Sequence, residues 1–585
     1  MMGRNPGNFL CWLFDSRPGV RDRDPRRQVF AAGAKDRLIP RWIFLRALAL
    51  IYFSAFFSLL FQIEGLIGPE GILPAQEYLA AVAGALGRLR FWFAPSLYWI
   101  SSSNAALITV TWIGLIASIV ALFNLWPRLS FFICWICFLS FVGASSTFSS
   151  YQSDGMLLEA GFIALFFAPP GLLPGWGASH PPSRASLWLL AWEWFRIYFE
   201  SGMVKLASGD RQWRNFTAMD EYYQNGPLPT WIGWYAEHLP HWFHAFTVGA
   251  TLTLELGIVF MLFFPRRVRI VCFFIVTPWE IGVILTANYT FLNYLVLALG
   301  FLLLDDKFLR PLLPARFRPP EPEPESVAVQ LEELPLSILA AGDADVATAD
   351  LGPREELRRL PDAETLEPAA PPKFRTARRI WDIARLSLAA ILLTWIAYDT
   401  TVEMAAIPLG SMPGPILPVR ILDPFRIANQ YGLFAVMTRG RYEIEFQGSN
   451  DGQNWTAYPF RYKPQALNQP PGIYAPYQPR FDWNLWFASL SDWQQNNIVP
   501  LTEERLLEND PDVMALFRSN PFAGAPPRFV RAVLWQYWFA SREEKRQTGN
   551  WWRREFIGLY APELTPGPDG RFEAVEMPED LPPHD

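Results

Sequence analysis

Nine long apolar segments constrain the fold of this chain more than any other feature. Each approaches the roughly 20 residues that an α-helix needs to cross a bilayer. Gly- and Pro-rich turns such as Gly68-Pro-Glu-Gly-Ile-Leu-Pro74 separate some of them and end helices. The pattern predicts a polytopic α-helical membrane protein with about nine spans, at residues 42–61, 104–126, 129–148, 155–170, 186–206, 247–264, 267–286, 288–304 and 378–398.

The lysines and arginines near the ends of these segments predict an orientation. Arg-rich residues 1–40 have no apolar region with a cleavage site, so they read as a basic cytoplasmic tail. With that tail inside, short loops rich in Lys and Arg also fall inside, as the positive-inside rule requires. The predicted domains are the tail 1–40, a transmembrane core of about eight helices at 41–305, an acidic Pro-rich cytoplasmic linker at 306–375, a ninth transmembrane helix at 376–400 and an outer domain at 401–585.

Charge argues against nucleic acid as a partner. The formal net charge is -6, whereas a nucleic-acid-binding protein presents a basic face.

Residues 319–367 hold 13 acidic side chains against three basic ones, a composition that cannot bury enough apolar surface to fold alone. This segment is therefore predicted to be a disordered tether.

The outer domain shows strand and turn patterns. Residues 441–447 alternate apolar and polar side chains with a period of two, which predicts a strand with one buried face. Asn450-Asp-Gly452 supplies the residues that a tight hairpin turn needs, and 455–461 is the predicted return strand. Aromatic-rich runs follow at 482–487 and 535–539. We predict a mixed α/β domain with a β-sandwich-like core.

The segment 186–206 contains the charges that carry the main functional hypothesis. Glu193, Arg196 and Glu200 share one helix face, and Lys205 follows near the helix end. Charges at membrane depth usually face a bundle interior or a watered cavity. One interpretation is an ion-pair cluster that fixes helix packing. The other is a polar cavity with Lys205 as a desolvated base; the residues assigned to this cavity are Asp154, Glu159, Glu193, Arg196, Glu200, Trp213 and Arg214.

Three histidines and an asparagine lie near the predicted outer boundary of the membrane. His238, His241 and His244 are close in sequence, but no Cys or carboxylate set completes a familiar metal-ligand spacing. They are predicted to be interfacial residues, as is Asn288, and no metal or cofactor is predicted.

Several motifs resemble the lipase maturation factor family. They include Ser153-Asp-Gly-Met-Leu-Leu-Glu-Ala-Gly161, Phe199-Glu-Ser-Gly-Met-Val-Lys-Leu-Ala-Ser-Gly-Asp210, Leu285-Thr-Ala-Asn-Tyr-Thr-Phe291 and Asn429-Gln-Tyr-Gly-Leu-Phe-Ala-Val-Met437. Animal members of that family are endoplasmic-reticulum membrane proteins needed for secreted lipases to become active. The resemblance implies a related maturation role, with a secreted lipase or another client polypeptide and the lipid bilayer as partners.

A smaller set of motifs resembles the transmembrane domain of vitamin K-dependent γ-carboxylase. The shared features are the Gly-Pro-Glu-Gly-Ile-Leu-Pro turn, an Asp-Gly that begins a span and a Gly-x-x-Lys-Leu pattern followed by Trp. In the carboxylase a lysine in that pattern is associated with base chemistry, and Lys205 matches it. This likeness implies an alternative function, an intramembrane enzyme acting on a lipid, a quinone or a secreted-protein side chain.

The two hypotheses differ in what they require of Lys205. Mutual ion pairs without a cavity would favour a non-enzymatic maturation factor, whereas an accessible cleft with Lys205 unpaired would favour the enzyme. Because residues 401–585 contain no cysteine, the expected location is a bacterial inner membrane with this domain in the periplasm, or the endoplasmic-reticulum membrane in a eukaryote.

Overall fold

The computed structural model describes residues 34–320 and 372–579. The predicted basic tail, except for residues 34–40, and residues 321–371 of the predicted linker therefore lie outside the described residues. The described residues up to Phe317 and from Leu393 onward form one compact unit, and Arg318–Leu392 form a second. The long helices are α1 (Leu38–Leu60), α2 (Ala75–Leu86), α3 (Asn104–Leu122), α4 (Pro127–Val142), α5 (Gln152–Phe167), α6 (Arg184–Ala207), α7 (His241–Leu256), α8 (Arg266–Thr286), α9 (Leu292–Gly300), α10 (Pro372–Leu409), α11 (Arg480–Ala488) and α12 (Ile498–Glu508).

Nine shorter α-helices and six strands are the remaining α and β elements of the described residues, which also contain short 3₁₀-helices such as Ile258–Phe263. The short α-helices are Ile63–Ile67, Arg90–Phe93, Arg211–Arg214, Tyr222–Asn225, Trp231–Glu237, Asp306–Leu309, Leu417–Leu422, Pro511–Met514 and Arg542–Thr548. The strands are β1 (Arg441–Ser449), β2 (Thr456–Ala457), β3 (Phe529–Phe539), β4 (Trp552–Leu559), β5 (Glu563–Pro566) and β6 (Phe572–Glu576).

Five described helices are long and apolar enough to cross a membrane. They are Leu38–Leu60, Asn104–Leu122, His241–Phe263, Arg266–Thr286 and Ile383–Leu409, where the third joins α7 to the 3₁₀-helix Ile258–Phe263. The other four predicted spans correspond to helices that are shorter, as in α4, α5 and α9, or more charged, as in α6. The chain is therefore an integral membrane protein, and nine spans are not confirmed by helix length and composition.

Local sequence sets where several of these helices begin. Ser103 and Ser183 precede α3 and α6, and each hydroxyl accepts a hydrogen bond from a backbone N–H of the first turn. Such caps satisfy donors that have no partner within the helix. Pro127 starts α4 at a position where its missing N–H costs nothing. Ser183 therefore helps to set the residue at which α6 begins.

The outer domain is built on one antiparallel sheet. The strand order is β2-β1-β3-β5-β6, with β4 also paired to β3. Strands β1 and β3 pair along their length, from Arg441 opposite Tyr537 to Ser449 opposite Phe529. The described strands thus form one sheet, whereas a sandwich requires two, so the predicted β-sandwich-like core is wrong. Helices α11 and α12 pack against β1 and β3 and cover the sheet.

The predicted hairpin is present with a shorter return strand. Gln447 and Gly448 pair with Ala457 and Thr456, so β2 contains two residues. Between the strands, Asp451 accepts hydrogen bonds from the backbone N–H groups of Asn454 and Gln453. These bonds hold the pKa of Asp451 below its usual value. The turn chemistry identified from the sequence therefore does organise this loop.

One buried apolar cluster runs from the helices into the outer domain. Leu48 of α1 and Leu157 of α5 belong to the same cluster as Phe446 of β1 and Phe481 of α11. Burial of apolar surface is the main favourable term in folding. The helices and the outer domain therefore share a core, which fixes the position of the polar groups between them.

Candidate functional site

Helix α6 carries the buried charges around which the site is built. Glu193, Arg196, Glu200 and Lys205 are all buried, at 0 to 2% exposed. The helix packs against α5, α7 and α9, so its charged face is turned into the bundle. Charges placed this way need partners on neighbouring elements.

Arg196 is the centre of the first ion-pair group. Its guanidinium donates to the Glu159 carboxylate of α5, and it lies 3.9 Å from Glu200 one turn along α6. It also donates to the carbonyl of Asn429, at 2.5 Å. The sequence left the partner of Arg196 open, and the structure supplies two carboxylates and one backbone carbonyl.

Residues 429–437, here called the inserted segment, lie between the sheet domain and the bundle. The Glu200 carboxylate accepts from the N–H of Tyr431 at 2.6 Å, and Glu159 accepts from the Tyr431 hydroxyl at 2.9 Å. The Asn429 side chain also donates to Glu159, at 3.1 Å. The charges of α5 and α6 therefore bind a segment that follows the last membrane helix in the chain.

Two glycines of α5 allow neighbouring residues to approach this helix closely. A Cβ built at Gly155 would lie 2.7 Å from the Asn429 side-chain oxygen, and one at Gly161 would overlap the Tyr52 hydroxyl. Contacts this short require a neighbouring atom to move. Gly155 and Gly161 of the Asp-Gly-x-x-x-x-x-Gly pattern are therefore explained by close packing against the inserted segment and α1, respectively.

A second buried ion pair joins α5 to α11. Arg480 and Asp154 form two parallel hydrogen bonds, of 2.7 and 2.8 Å, and both side chains are at most 1% exposed. Arg480 also donates to the carbonyl of Phe148 at 2.7 Å and lies 4.7 Å from the ring centre of Phe141. Bidentate arginine–carboxylate pairs of this type are strong and geometrically specific.

Strand β1 contributes a third buried contact. Arg441 donates to the carbonyls of Gln224 and Pro227, at 2.9 and 3.1 Å, and pairs with Glu443. Lys463 approaches the same Glu443 at 2.8 Å. Burial lowers the pKa of Arg441, and the Glu443 carboxylate opposes this shift. The loop after residue 223 is therefore fixed to the sheet.

Asn288 joins the bundle to the outer domain through its amide. The side-chain nitrogen donates to Leu228 at 3.1 Å and Gly472 at 2.9 Å, and the oxygen accepts from the N–H groups of Tyr474 and Ala475 at 2.7 and 3.1 Å. The residue is 2% exposed. Asn288, predicted as an interfacial residue, thus has every polar atom of its amide engaged.

We expect Asn288→Ala to lower the free energy of unfolding by about 2 to 4 kcal/mol, because it leaves several buried donors and acceptors without partners. Thermal unfolding of the purified full chain in lipid nanodiscs measures the loss. Asn215→Ala is the matched control, since Asn215 is exposed and begins an Asn-x-Thr triplet like that of Asn288. Equal unfolding midpoints for the two variants would contradict the role given to Asn288.

Lys205 is paired, which differs from what the enzyme hypothesis requires. Its ammonium donates to both oxygens of Glu255 on α7, at 2.7 and 2.9 Å, and lies 5.1 Å from the ring centre of Trp213. Of the two interpretations of these charges, the ion-pair cluster is therefore the one that this contact supports. Tyr198 similarly donates to Glu280 of α8, at 2.5 Å.

A cavity of about 610 Å³ nevertheless lies next to Lys205. Its walls come from α6, α7, α8 and α9, from the inserted segment and from α11. Of the predicted cavity residues, Lys205 and Trp213 line it, and Trp213 donates to the Phe434 carbonyl at 3.0 Å. The structure thus separates the polar groups into ion pairs around the inserted segment and a cavity beside Lys205.

Three other residues predicted to line one polar cavity belong neither to the ion-pair group of Arg196 nor to the lining of this cavity. Arg214 is exposed and is not among the lining residues. Glu193 is fully buried, and neither of its carboxylate oxygens has a hydrogen-bond partner among residues 34–320 and 372–579. Asp154 faces Arg480 instead of the cavity. Spacing on a helix shows which side chains share a face, but it does not show which neighbour each one meets.

Each of the three histidines contacts an oxygen atom of a different residue. His238 contacts the Trp234 carbonyl at 2.7 Å, His241 contacts Asp220 at 2.9 Å, and His244 contacts the Leu239 carbonyl at 2.9 Å. In the described part of the chain, no group of three metal-ligating side chains is found.

Arg480, Asn429 and Tyr431 make buried contacts of the site that the sequence does not predict. The motif 429–437 carries a family resemblance, but this resemblance does not indicate which residues it contacts. Arg480 directly precedes the aromatic run 482–487, but a lone arginine before a predicted element gives no indication of a partner 326 residues earlier. Only the folded arrangement identifies these pairs.

The fold and these contacts define a class, an integral membrane protein whose outer sheet domain is joined to the helices by buried ion pairs. Two family models match the chain: the lipase maturation factor transmembrane domain over residues 39–311 and the lipase maturation factor C-terminal domain over residues 427–562. The chain belongs to the lipase maturation factor family.

Named relatives match along most of the chain. Lipase maturation factor 2 of Gallus gallus is 32% identical over 90% of this chain and 82% of its own length. The protein of the same name from Homo sapiens is 31% identical, with 90% and 83% covered. Lipase maturation factor 1 of Mus musculus is 30% identical, with 90% and 87% covered. No solved structure matches the chain.

Proposed function

We propose that this protein acts in the maturation of lipases. The observation that carries the proposal is the match to lipase maturation factors over 90% of the chain, including both the transmembrane and the C-terminal domain. The residues that join these two domains in the structure lie within the matched ranges. We infer that the bundle holds the outer domain in one fixed position, from which it assists a client lipase.

The geometry supports a scaffold in preference to an enzyme that uses Lys205 as a base. Lys205 is bound by both oxygens of Glu255, and the other buried cations of the site, Arg196 and Arg480, are also paired with carboxylates. A general base must be free to take a proton from its substrate. We therefore assign Lys205 a structural role.

The test is secretion of active lipase from the native host. We expect deletion of the gene to reduce lipase activity per amount of secreted lipase protein to the background level. A copy carrying Lys205→Met with Glu255→Gln should restore activity, because it removes the amine without leaving an unpaired buried charge. Immunoblots of the membrane fraction confirm equal amounts of wild type and variant.

Two results would decide against parts of this proposal. Unchanged lipase activity after deletion would remove the maturation role itself. Restoration by wild type but not by the double variant, at equal abundance, would return Lys205 to a chemical role. Lys205→Met alone is less informative, since it leaves Glu255 buried without its partner.

The finer features belong to the same proposal. We infer nine spans, with the charged helices α5 and α6 inside the bundle and shielded from lipid by their neighbours. The outer domain faces the compartment into which lipases are secreted, which is the periplasm if the host is bacterial. The client is a secreted lipase, and a role in folding or assembly is the form of assistance we propose.

A further inference from the structure

The cavity beside Lys205 has the size and composition of a ligand site. Its volume of about 610 Å³ falls within the range of roughly 300 to 1,000 Å³ typical of small-molecule sites. Much of its wall is apolar, with contributions from Ile197, Val283, Leu292, Val296 and Phe487. Such a wall suits an alkyl chain or a similar apolar body.

Four polar atoms of buried lining residues have no hydrogen-bond partner in the part of the chain that the structure describes. They are the hydroxyls of Tyr289 and Thr290, the Trp486 indole N–H and the Asn225 side-chain oxygen. These residues are between 3 and 9% exposed. Buried polar groups are normally hydrogen bonded, so unpartnered ones mark a place where another molecule supplies the bond. The set includes a donor, an acceptor and two hydroxyls that can do both.

Two residues that line the cavity have strained backbone conformations. Thr290 has a φ of 54° and Phe434 a φ of 58°, both in the left-handed region, and both residues line the cavity. For a β-branched residue such as threonine this conformation is an outlier. Strained residues persist where the surrounding structure imposes them, and they cluster at ligand sites.

The cation at the cavity wall is already paired. Lys205, the one cation among the described lining residues, binds both oxygens of Glu255, whereas Glu280 accepts a hydrogen bond from the neutral Tyr198 hydroxyl. An anionic ligand group would therefore meet no unpaired cation. An uncharged, hydrogen-bonding head fits the unpartnered atoms better.

We propose that this cavity binds a single-chain amphiphile with a small uncharged head that donates and accepts hydrogen bonds, such as a monoacylglycerol. The head bonds Thr290, Trp486 and Asn225, and the chain lies against the apolar wall. Because the site lies between the helices and the outer domain, its occupant touches both. This inference does not depend on the proposed maturation role.

Photolabelling of the full chain in phosphatidylcholine nanodiscs tests the site, with a monoacylglycerol that carries a diazirine in its acyl chain. We expect labelled peptides to map to the cavity wall. Unlabelled monooleoylglycerol should compete, whereas oleate should compete at least about tenfold more weakly, because an unpaired charge is costly to bury. Competition by oleate or by oleylamine that equals that of monooleoylglycerol would overturn the assignment of the head.

Matched variants separate this site from general lipid contact. Thr290→Val keeps the shape and the β-branching and should weaken binding roughly threefold to tenfold through one lost hydrogen bond. Thr251→Val is its control, since the Thr251 hydroxyl lines the cavity but donates to Thr247 at 2.7 Å. Equal effects of these two valine variants would overturn the role of Thr290.

A second pair of variants tests occupancy. Val283→Trp places an indole in the cavity and should abolish labelling, whereas Ile281→Trp, at an exposed position of the same helix, should leave it unchanged. Labelling that persists in Val283→Trp would overturn the site. If that variant does not fold, the Thr290 and Thr251 pair still decides the question.

Discussion

Arg480→Met is expected to loosen the outer domain from the bundle and to cost about 3 to 5 kcal/mol, the usual effect of removing one partner of a buried ion pair. The change leaves the Asp154 carboxylate at 0% exposure without its two hydrogen bonds. The carbonyl of Phe148 also loses a donor. Thermal unfolding in nanodiscs measures the loss of stability, and hydrogen exchange over 472–488 reports whether α11 separates from α5.

The control for Arg480 is another arginine between the same two parts of the protein. Arg505 contacts Glu70, but that carboxylate is 66% exposed, so the pair should contribute at most about 1 kcal/mol. A double variant, Arg480→Met with Asp154→Leu, should recover most of the stability, because no unpaired charge remains buried. If Arg505→Met is as harmful as Arg480→Met, the Asp154 pair is not the principal attachment.

Arg196→Met is expected to be at least as destabilising, by about 3 to 5 kcal/mol from the ion pair alone, because two buried carboxylates lose their cation. Glu159 and Glu200 would remain at 0 to 1% exposure, and both bind Tyr431. The Asn429 carbonyl would lose its donor as well. The inserted segment should therefore become accessible, which limited proteolysis at residues 429–437 detects.

Arg211→Met serves as the comparison for Arg196, since Arg211 is exposed just beyond the end of α6. It removes the same charge from the same region without uncovering a buried carboxylate. We expect wild-type unfolding and wild-type resistance to protease. Protection of residues 429–437 in Arg196→Met equal to that in Arg211→Met would show that the ion pair does not hold the segment.

Helix positions were the most predictable part of the fold. The predicted spans 42–61 and 267–286 differ by a few residues at most from α1 and α8, because long apolar runs bounded by turns leave few alternatives. The Asn450-Asp-Gly452 hairpin was predictable for the same reason, since its turn depends on local chemistry. By contrast, a period of two predicts a strand but not how many sheets its neighbours form, and the sandwich was wrong.

The site was predictable in composition but not in pairing. The charges of α5 and α6 stand out because they are rare in apolar helices. Their partners Arg480 and Asn429 are 326 and 270 residues away in the sequence, and no local pattern relates them. Lys205 shows the same limit, because its spacing is equally compatible with a free base and with the ion pair to Glu255 that the structure contains.

The distance in sequence between these partners also sets an order of events during synthesis. Asp154 emerges 326 residues before Arg480. At about 5 to 20 residues per second, the ribosome needs roughly 15 to 65 s to make the intervening chain. For that interval the Asp154 carboxylate of α5 lacks its cation, and the Glu200 carboxylate of α6 lacks the N–H of Tyr431. A newly made bundle is therefore incomplete until its last domain arrives, and a chain that stops in the linker leaves an exposed defect for cellular quality control to recognise.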